Sequence, residues 1–331
     1  MVTLGIGMLA ARLASSTVFI AFIALSLMLD HWYPIGSVHG IWLMPMLMLF
    51  GGATAFEMAS ALSQASEETA ADGSLASEAT QGQALVDRYQ ATALALLPML
   101  SAALPWFYLW LMKRPYPEDC PMTTSGLPVV GMLASYGVAS MLLLRRYGDQ
   151  GGVAVKRWLI QLSVVGYVGI PISFWVLLRQ MEPSWFGLLA GIGVVGVTKL
   201  ADVGAYFFGK TFGKHKLCPS ISPGKSVEGA IGGAVTAVVA ALCWFGWWLP
   251  GLVTSQATTW QMAGAALMGL LLFSTGLMGD LLESTVKRYS GIKDSSRWLP
   301  GLGGIWDITD ALIPACVVGY YILACGLVWR P

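Results

Sequence analysis

Charged residues are scarce in this sequence. Only 11% of its 331 residues are Asp, Glu, Lys or Arg, whereas 56% are hydrophobic. A soluble domain of this size carries about a quarter charged residues. The shortage, together with 14 Trp and 39 Gly, favours a polytopic membrane protein. A net charge of +1 and the lack of a basic tail give no indication of nucleic-acid binding.

Cysteine and histidine are also few and widely spaced. The five Cys include no CxxC pair, and the three His lie at positions 31, 39 and 215. Zinc sites and disulfide frameworks need closely spaced ligands or paired cysteines. The pattern therefore indicates neither of them, and the three His are too scattered for a metal cluster.

Long apolar runs predict the fold. A membrane-spanning helix needs about 20 predominantly apolar residues, and backbone groups in lipid must bond within their own segment. We therefore predict an all-α, polytopic integral membrane protein with about nine transmembrane helices. The first run is predicted to be a membrane helix and not a cleaved signal peptide, and 184–201 is short and glycine-rich, so that a break is one alternative. The predicted helices cover residues 10–29, 40–58, 91–112, 126–144, 157–178, 184–201, 228–249, 261–282 and 311–329.

The polar segments divide the chain into two predicted regions. Residues 1–183 form an N-terminal region with a low-complexity polar loop at 61–90, which we interpret as a mobile loop or a helical hairpin without chemistry. Residues 184–331 form the predicted catalytic region. The basic loops 145–157 and 209–227 and the segment 283–300 are all expected on the cytoplasmic side, since Lys and Arg concentrate there.

Charges of the C-terminal region gather in the segments 199–228 and 280–310, and residues 229–279 between them carry none. Asp280 and Glu283 are three residues apart, as are Asp307 and Asp310, so each pair shares one side of a helix. Carboxylates at a membrane helix end are costly unless they are paired or bind a cation. Mg²⁺ held by carboxylates and substrate phosphates is one interpretation. A solvated rim with internal salt bridges is an equally good one.

Two other features admit more than one interpretation. Lys225, in "ISPGKSVEG", could bind phosphate beside backbone amides, but a helix-capping turn is favoured from spacing alone. The glycines of "GLGG" (301–304) could let a phosphate approach the backbone, although a plain turn is commoner.

Other charged or titratable residues are expected to have structural roles. Glu283 with Lys287 is expected to be a structural pair. Lys199 is interpreted as a snorkelling residue and His215 as a loop residue.

The two charged segments together resemble the phosphatidate cytidylyltransferases, also called CDP-diacylglycerol synthases, an integral membrane family. The resemblance includes "ADVGAYFFGKTFGKHKLCPSISPGKSVEGAIGG" (201–233) and "GDLLES" (279–284), and it covers residues 201 to 310. The residues that match the family's C-terminal signature in register are Ser284, Lys287, Arg288, Lys293, Asp294, Ser296, Leu299, Pro300, Gly303, Gly304, Ile305, Asp307 and Asp310.

This resemblance implies a reaction and a set of functional residues. A phosphatidate oxygen would attack the α-phosphorus of CTP and give CDP-diacylglycerol and pyrophosphate, in a bacterial inner membrane with the active site facing the cytoplasm. Mg²⁺ would be required, at two divalent sites or at one divalent and one monovalent site. The implied metal ligands are Asp280, Asp307 and Asp310. The implied catalytic residues are Lys225, Lys287, Arg288, Lys293 and Asp294. The implied substrate-binding residues are Asp202, Tyr206, Ser222, Glu228, Gly303 and Gly304.

The sequence departs from the family pattern at two positions. Leu302 stands where the family has His, and Ile308 where it has Arg. A divergent, non-catalytic protein that binds CTP or acidic lipid is therefore one alternative. A membrane transporter is another, although the charges cluster at one face and form no path across the bilayer. A homodimer is compatible with the sequence, but no motif specifies one.

Overall fold

The fold is described from a computed structural model. It covers residues 2–35, 38–70, 78–117, 124–296, 298–299 and 303–331, with side chains left out at 2–15, 66–70 and 78–82. The α-helices are α1 (Val2–Trp32), α2 (Met44–Ala70), α3 (Glu78–Ala102), α4 (Leu104–Met112), α5 (Leu127–Gln150), α6 (Gly152–Val164), α7 (Ile170–Arg179), α8 (Ser184–Phe212), α9 (Val227–Ala241), α10 (Leu249–Gly251), α11 (Thr259–Tyr289), α12 (Trp306–Thr309) and α13 (Leu312–Ala324).

Short irregular elements connect these helices. Single 3₁₀ turns precede α2 and α5, and π-helical turns at Val165–Gly169 and Leu242–Trp248 join α6 to α7 and α9 to α10. A two-stranded antiparallel sheet, β1 (Lys216–Cys218) and β2 (Ser222–Ser226), lies between α8 and α9. In this hairpin Lys216 is opposite Ser226 and Cys218 is opposite Ser222. The sheet is the described part of the fold that the all-helical prediction did not include.

The prediction of a polytopic helical membrane protein is confirmed. Seven segments of the described chain are long and apolar enough to cross a membrane, and an eighth is a pair of helices, Gln83–Ala102 and Leu104–Met112, bent by 54°. A shorter apolar helix covers Ser16–Trp32. The seven segments are Ile41–Ala65, Thr124–Gln150, Gly152–Arg179, Ser184–Phe212, Val227–Gly251, Thr259–Tyr289 and Trp306–Ala324.

The count of nine helices is thus approximate, and two details differ from the prediction. The predicted helix 91–112 is divided into α3 and α4 at Ala103, because Pro105 in the first turn of α4 has no backbone N–H to bond four residues back. The alternative of a break in 184–201 is wrong, since α8 is continuous for 29 residues. Of the polar stretch 61–90, residues 61–70 and 78–90 are helical, which favours the hairpin interpretation there. Residues 71–77 lie outside the described chain.

The chain forms two compact units. Unit 1 consists of residues 1–176 and 286–309, and unit 2 of residues 177–285 and 310–331. The predicted boundary between residues 183 and 184 was drawn from the motifs, and it stays a prediction. The charged segment 199–228 lies entirely in unit 2, whereas the segment 280–310 is divided between the two units.

Unit 1 contains α1 to α6 and is held together partly by polar contacts between helices. The Ser135 hydroxyl of α5 donates to the Leu94 carbonyl oxygen of α3 at 2.8 Å. Asp87 of α3 accepts Arg146 Nη1 of α5 at 2.7 Å and pairs with Arg157 Nε of α6 at 2.8 Å. One buried carboxylate therefore connects three helices and anchors the basic segment 145–157, which was predicted to be a loop but is helical except at Gly151.

Unit 2 is built around the close packing of α8 and α9. A side chain in place of Gly232 would collide with Phe208, and one in place of Gly204 would collide with Thr236. Small residues allow helix backbones to approach closely in membranes, where no hydrophobic force between helices is available. Within the run 184–201, a side chain in place of Gly193 would collide with Trp244, so a glycine there serves close packing while the helix stays continuous.

Candidate functional site

Two groups of charged side chains, one in each unit, bring predicted site residues together with carboxylates that were not predicted. The group in unit 2 contains three carboxylates, Asp280, Glu283 and Asp310, which we call the acidic trio. The group in unit 1 centres on the carboxylates of Glu57 and Asp307, which we call the Glu57–Asp307 network. Each group is built by residues close in space and, in part, distant in sequence.

The acidic trio combines the end of one apolar helix with the start of another. One oxygen from each of the three carboxylates lies within 4.8 Å of the others. Asp280 and Glu283 share one side of α11, and Asp310 lies between α12 and α13. Gly279 permits this meeting, because a side chain there would collide with the Asp310 carbonyl oxygen. Glu283 is 2% exposed and Asp310 7% exposed, so the trio concentrates negative charge in a largely buried place.

A lysine from the hairpin faces the acidic trio. Lys225 Nζ lies 2.7 Å from Asp280 Oδ2. Lys225 belongs to β2, and the Ser226 hydroxyl then caps α9 by accepting the backbone N–H of Gly229 at 3.1 Å. The sequence analysis favoured a capping turn over a phosphate-binding lysine. The structure contains both a cap, made by Ser226, and a lysine ammonium group beside carboxylates.

Glu228 positions the segment that precedes the hairpin. Its carboxylate accepts the backbone N–H of Lys214 at 3.0 Å and that of His215 at 3.2 Å, and it shares a 2.6 Å hydrogen bond with His215 Nδ1. The predicted loop residue His215 is therefore exposed and hydrogen-bonded to Glu228. These contacts indicate that Glu228 fixes the backbone conformation of the loop at Lys214 and His215.

The remaining predicted residues of unit 2 are more exposed. Lys199 Nζ lies 3.4 Å from Asp202 Oδ2, and both side chains are partly exposed on α8. The Lys210 ammonium group lies 5.7 Å from the centre of the Tyr206 ring. Ser222 begins β2. Their predicted contacts with substrate stay predictions.

In unit 1, Asp307 is surrounded by hydrogen-bond donors. Its Oδ1 accepts Lys287 Nζ at 2.7 Å. Its Oδ2 accepts the backbone N–H of Gly304 at 2.7 Å, the backbone N–H of Ser295 at 3.2 Å and the Ser295 hydroxyl at 3.0 Å. The carboxylate therefore joins the end of α11, the following loop and α12.

Glu57, on α2, is a functional candidate that the sequence analysis missed. It is 2% exposed and accepts four hydrogen bonds from the loop before α12. Oε1 accepts from the Ser296 hydroxyl at 2.6 Å and from Ile305 N–H at 3.1 Å. Oε2 accepts from the Ser295 hydroxyl at 2.7 Å and from Trp306 N–H at 2.8 Å. Ser295 thus links the two carboxylates.

The sequence did contain a signal that could have identified Glu57. It is the one charged residue between positions 40 and 66, and an ionisable residue inside a membrane helix is a functional candidate by default.

The paired glycines of "GLGG" allow the carboxylates to come this close. Gly303 has a φ of +90°, and its N–H and carbonyl oxygen exchange 3.1 Å hydrogen bonds with Leu299. A side chain at Gly304 would overlap both the Ser295 hydroxyl and the Glu57 carboxylate. Gly303 therefore pairs with Leu299, and the Gly304 N–H is already donated to Asp307. Phosphate binding by Gly303 and Gly304 stays a prediction.

Other predicted residues lie at the edge of this network. Arg288, in the last turn of α11, is exposed, as are Lys293 and Asp294 in the loop that follows. Ile308 lies within α12. Leu302 lies outside the described residues, as do Pro300 and the first two residues of "GLGG".

The acidic trio has the chemistry of a divalent-cation site. Three carboxylates whose oxygens lie within 4.8 Å of one another repel one another unless a proton or a cation reduces their charge. A donor set made only of oxygen suits Mg²⁺ or Ca²⁺ and not the softer metals that prefer thiolate or imidazole. Asp280 and Asp310, predicted as ligands, are brought together with Glu283, which was not predicted. Asp307 is held by Lys287, Ser295 and Gly304.

Comparison with known proteins identifies the family. The model of the cytidylyltransferase family matches residues 10–326. The chain belongs to the cytidylyltransferase family. The match extends through the N-terminal helices, which the sequence analysis had compared with the family only as a series of membrane spans, and the predicted resemblance is confirmed.

Individual relatives agree with this placement. The chain is 36% identical over 193 residues to the phosphatidate cytidylyltransferase of Haemophilus influenzae, which covers 57% of this chain and 65% of the relative. It is 41% identical over 152 residues to the phosphatidate cytidylyltransferase of Staphylococcus aureus (strain COL), which covers 46% of this chain and 54% of the relative. An uncharacterized protein of Escherichia coli (strain K12) is 36% identical over 149 residues, 45% of this chain and 47% of the relative. The chain thus spans about half to two thirds of these relatives.

Proposed function

We propose that this chain transfers the cytidylyl group of CTP to phosphatidate and forms CDP-diacylglycerol and pyrophosphate. In this reaction a phosphatidate phosphate oxygen forms a bond to the α-phosphorus of CTP. The bond from that phosphorus to the oxygen bridging to the β-phosphate breaks, and both electrons leave with pyrophosphate. The observation that supports the proposal most directly is the combination of family membership with an acidic trio beside Lys225 in a membrane-spanning chain.

The chemistry explains why charged residues and no serine or cysteine nucleophile are needed. The attacking phosphate is already an anion, so the obstacle is to bring two polyanions into contact in the correct orientation. Lys225 and Lys287 are each held within 2.7 Å of a carboxylate, so each ammonium group is oriented before substrate arrives. We assign them to the phosphates of CTP and phosphatidate, because fixed cations stabilise the charge that develops during transfer.

The exposed residues around these lysines have supporting roles in the proposal. Arg288 and Lys293 would contact the triphosphate from the solvent side, and Asp294 would orient one of them. Asp202, Tyr206 and Ser222 would contact the nucleotide. Glu228 keeps the loop before the hairpin in shape, and Gly303 and Gly304 let the backbone turn closely around the Glu57–Asp307 network.

Mg²⁺ fits the proposed site, because the acidic trio offers oxygen ligands alone. Asp280 and Asp310, with Glu283, would hold the ion. Asp307 remains a proposed metal ligand, because the family pattern implies this role. When bound, Mg²⁺ would neutralise phosphate oxygens and act as a Lewis acid. A second ion, divalent or monovalent, remains part of the proposal. The carboxylates of the trio otherwise repel one another, which is a physical reason for the protein to bind a cation here.

The proposed location follows from the substrates and the charge distribution. CTP is water-soluble and phosphatidate stays in the bilayer, so the site must lie where both can reach it. We place the protein in a bacterial inner membrane with the basic loops and the site at the cytoplasmic face. Pyrophosphate would leave into the cytoplasm.

The decisive experiment measures product formation. Purified full-length protein is incubated with cytidine-labelled CTP, phosphatidate and Mg²⁺, and lipid-soluble label is counted with and without EDTA. We expect metal-dependent CDP-diacylglycerol. Absence of product from protein that melts cooperatively would contradict the proposal and favour the non-catalytic binder.

A further inference from the structure

Unit 1 contains an apolar cavity of about 460 Å³. This volume is in the range of about 300–1,000 Å³ that small-molecule sites occupy. Helix α1 contributes Val18, Phe19 and Phe22, and helix α2 contributes Leu49 and Phe50. The rings of Phe19 and Phe50 lie 5.1 Å apart. The cavity walls therefore suit hydrocarbon and offer nothing to a phosphate or a nucleoside.

The cavity extends from the surface of the membrane-spanning helices to the buried loop. Val18 is 70% exposed and Leu49 50% exposed, whereas Ile305, at the other side of the cavity, is 6% exposed. Leu49 belongs to the span Ile41–Ala65 and Val18 to the apolar helix Ser16–Trp32. In a bilayer, the exposed side chains of such helices contact lipid. A lipid chain could therefore enter the cavity without crossing water.

The inner wall of the cavity is part of the Glu57–Asp307 network. Ile305 lines the cavity with its side chain and donates its backbone N–H to Glu57 at 3.1 Å. Two residues later Asp307 accepts the ammonium group of Lys287 at 2.7 Å. The loop that forms the inner wall of the cavity therefore continues directly to the carboxylate that binds the Lys287 ammonium group, and Lys287 is one of the two lysines assigned above to substrate phosphates.

We propose that this cavity binds an acyl chain of the lipid substrate and selects among chain lengths. The proposal rests on the proposed function and names the part of the chain that recognises the lipid tail. Transfer of a tail from bilayer into an apolar cavity gains little, because lipid tails are as apolar as the cavity walls. The cavity is therefore expected to discriminate by shape, not to increase affinity for lipid in general.

Filling the cavity tests this proposal, and the chain offers matched controls. Leu49→Trp and Val18→Trp place bulk at lining positions. Met48→Trp and Ile20→Trp make the same kind of change at neighbouring exposed positions of the same helices, at 38% and 65% exposure, that are not among the lining residues. All four positions carry apolar side chains in the wild type. Any general effect of a surface tryptophan should therefore be the same in the lining variants and in the control variants.

The readout is the ratio of kcat/KM for phosphatidate with long acyl chains to that with six-carbon chains, at saturating CTP. We expect the lining variants to lower this ratio about tenfold, the lower end of the effects that a small mismatch in an apolar pocket produces. The control variants should keep the wild-type ratio, and the KM for CTP should be the same in all five proteins. Equal ratios in the lining and control variants would overturn the proposal.

A labelling experiment separates this inference from the proposed reaction. Phosphatidate with a diazirine near the end of one acyl chain is added to protein in vesicles, irradiated, and mapped by mass spectrometry. We expect label on the peptides of α1 and α2 that line the cavity, with loss in Leu49→Trp and retention in Met48→Trp. Labelling of these peptides without CDP-diacylglycerol synthesis would contradict the proposed function and support acyl-chain binding in the cavity. Synthesis with label on other peptides would support the proposed function and contradict acyl-chain binding in the cavity.

Discussion

In unit 1 the carboxylates of Glu57 and Asp307 each accept four hydrogen bonds, whereas in unit 2 the carboxylates of the acidic trio converge on one another. Asp307 and Asp310 are three residues apart in one motif, yet the first belongs to the donor-rich group and the second to the acid-rich group. A buried carboxylate with several charge-assisted bonds is a stable structural element. The three carboxylates of the trio lie within 4.8 Å of one another and repel one another, and Lys225 pairs directly with Asp280 alone among them.

This difference suggests that the carboxylates of the two groups have different functions. The Glu57–Asp307 network is suited to hold a loop and orient Lys287, and the acidic trio is suited to bind a metal ion. Sequence spacing treated Asp280, Asp307 and Asp310 as equivalent ligands. The contacts indicate that Asp307 also has a positioning duty, which variants of the two groups can separate.

The largest effect is expected from the acidic trio. Asp310→Asn and Asp280→Asn should each lower turnover roughly a thousandfold, because each removes a charge that would hold the metal ion. The measurement is incorporation of labelled CTP into lipid. In addition, Mg²⁺ should raise the melting temperature of the wild type but not of these variants, since a ligand stabilises only the state that binds it.

Asp149→Asn provides the control, because Asp149 is an exposed acid of α5 in unit 1. It should keep both turnover and the stabilisation by Mg²⁺. If the trio variants retain the Mg²⁺-induced shift in melting temperature, the metal site lies elsewhere.

A smaller effect is expected from the lysine that faces the trio. Lys225→Ala should lower kcat/KM for CTP about 10- to 100-fold, because an oriented cation is lost. The apparent affinity for Mg²⁺ in the absence of CTP should be unchanged or higher, since Lys225 competes with a metal ion for Asp280. Titration of the melting temperature with Mg²⁺ measures this second quantity.

Lys216→Ala is the matched control for Lys225, since Lys216 is an exposed residue on the facing strand of the same hairpin. It should behave as wild type. Weaker Mg²⁺ binding in Lys225→Ala would show that the lysine supports the metal site and does not compete with the ion.

The Glu57–Asp307 network should respond mainly in stability. Glu57→Ala leaves four donors of the loop without their acceptor, which we expect to lower the free energy of unfolding by about 3 kcal/mol. Turnover should fall about tenfold, because the loop that carries Asp307 is less well positioned. Thermal unfolding in detergent and the labelled-CTP assay give the two quantities.

Ser60→Ala on the same helix is a suitable comparison, because its hydroxyl bonds only to the Phe56 carbonyl oxygen among the contacts described for it. It should have little effect on either quantity. A Glu57→Ala protein with the stability of wild type would contradict the role assigned to the network.

The smallest effect on catalysis is expected at the Asp87 ion pairs. Arg146→Gln removes one of the two arginines that Asp87 binds, so the free energy of unfolding should fall by about 1 kcal/mol. Turnover should stay within about twofold of wild type, because this anchor belongs to neither charged group. A large loss of turnover without loss of stability would assign the basic loop a direct role in catalysis.

Much of the fold could be predicted from the sequence because the bilayer imposes it. Apolar runs of about 20 residues must be helical in lipid, and most predicted spans coincide with helices. The hairpin at β1 and β2 could not be predicted, since its strands are three and five residues long and carry no alternating pattern. Pro105 indicated the bend before α4, but the predicted helix 91–112 continued across this proline.

The candidate site was only partly predictable for a different reason. Motif spacing placed Asp280, Asp307, Asp310, Lys225 and Lys287 among the functional residues without showing which would be neighbours. Glu57 was invisible to that approach, because it comes from a helix that is more than 200 residues away from its partners Ser295 and Ser296. Local sequence carries no information about contacts of that separation.

The sequence by itself determined that this is a helical membrane protein with two charged segments of a cytidylyltransferase type, because hydropathy and motif spacing are local properties of the chain. Only the tertiary structure decided that Asp310 joins Asp280 and Glu283 while Asp307 joins Lys287 and the loop held by Glu57. The physical reason is that a carboxylate's role depends on whether donors or other acids surround it. Those neighbours are brought together by helix packing.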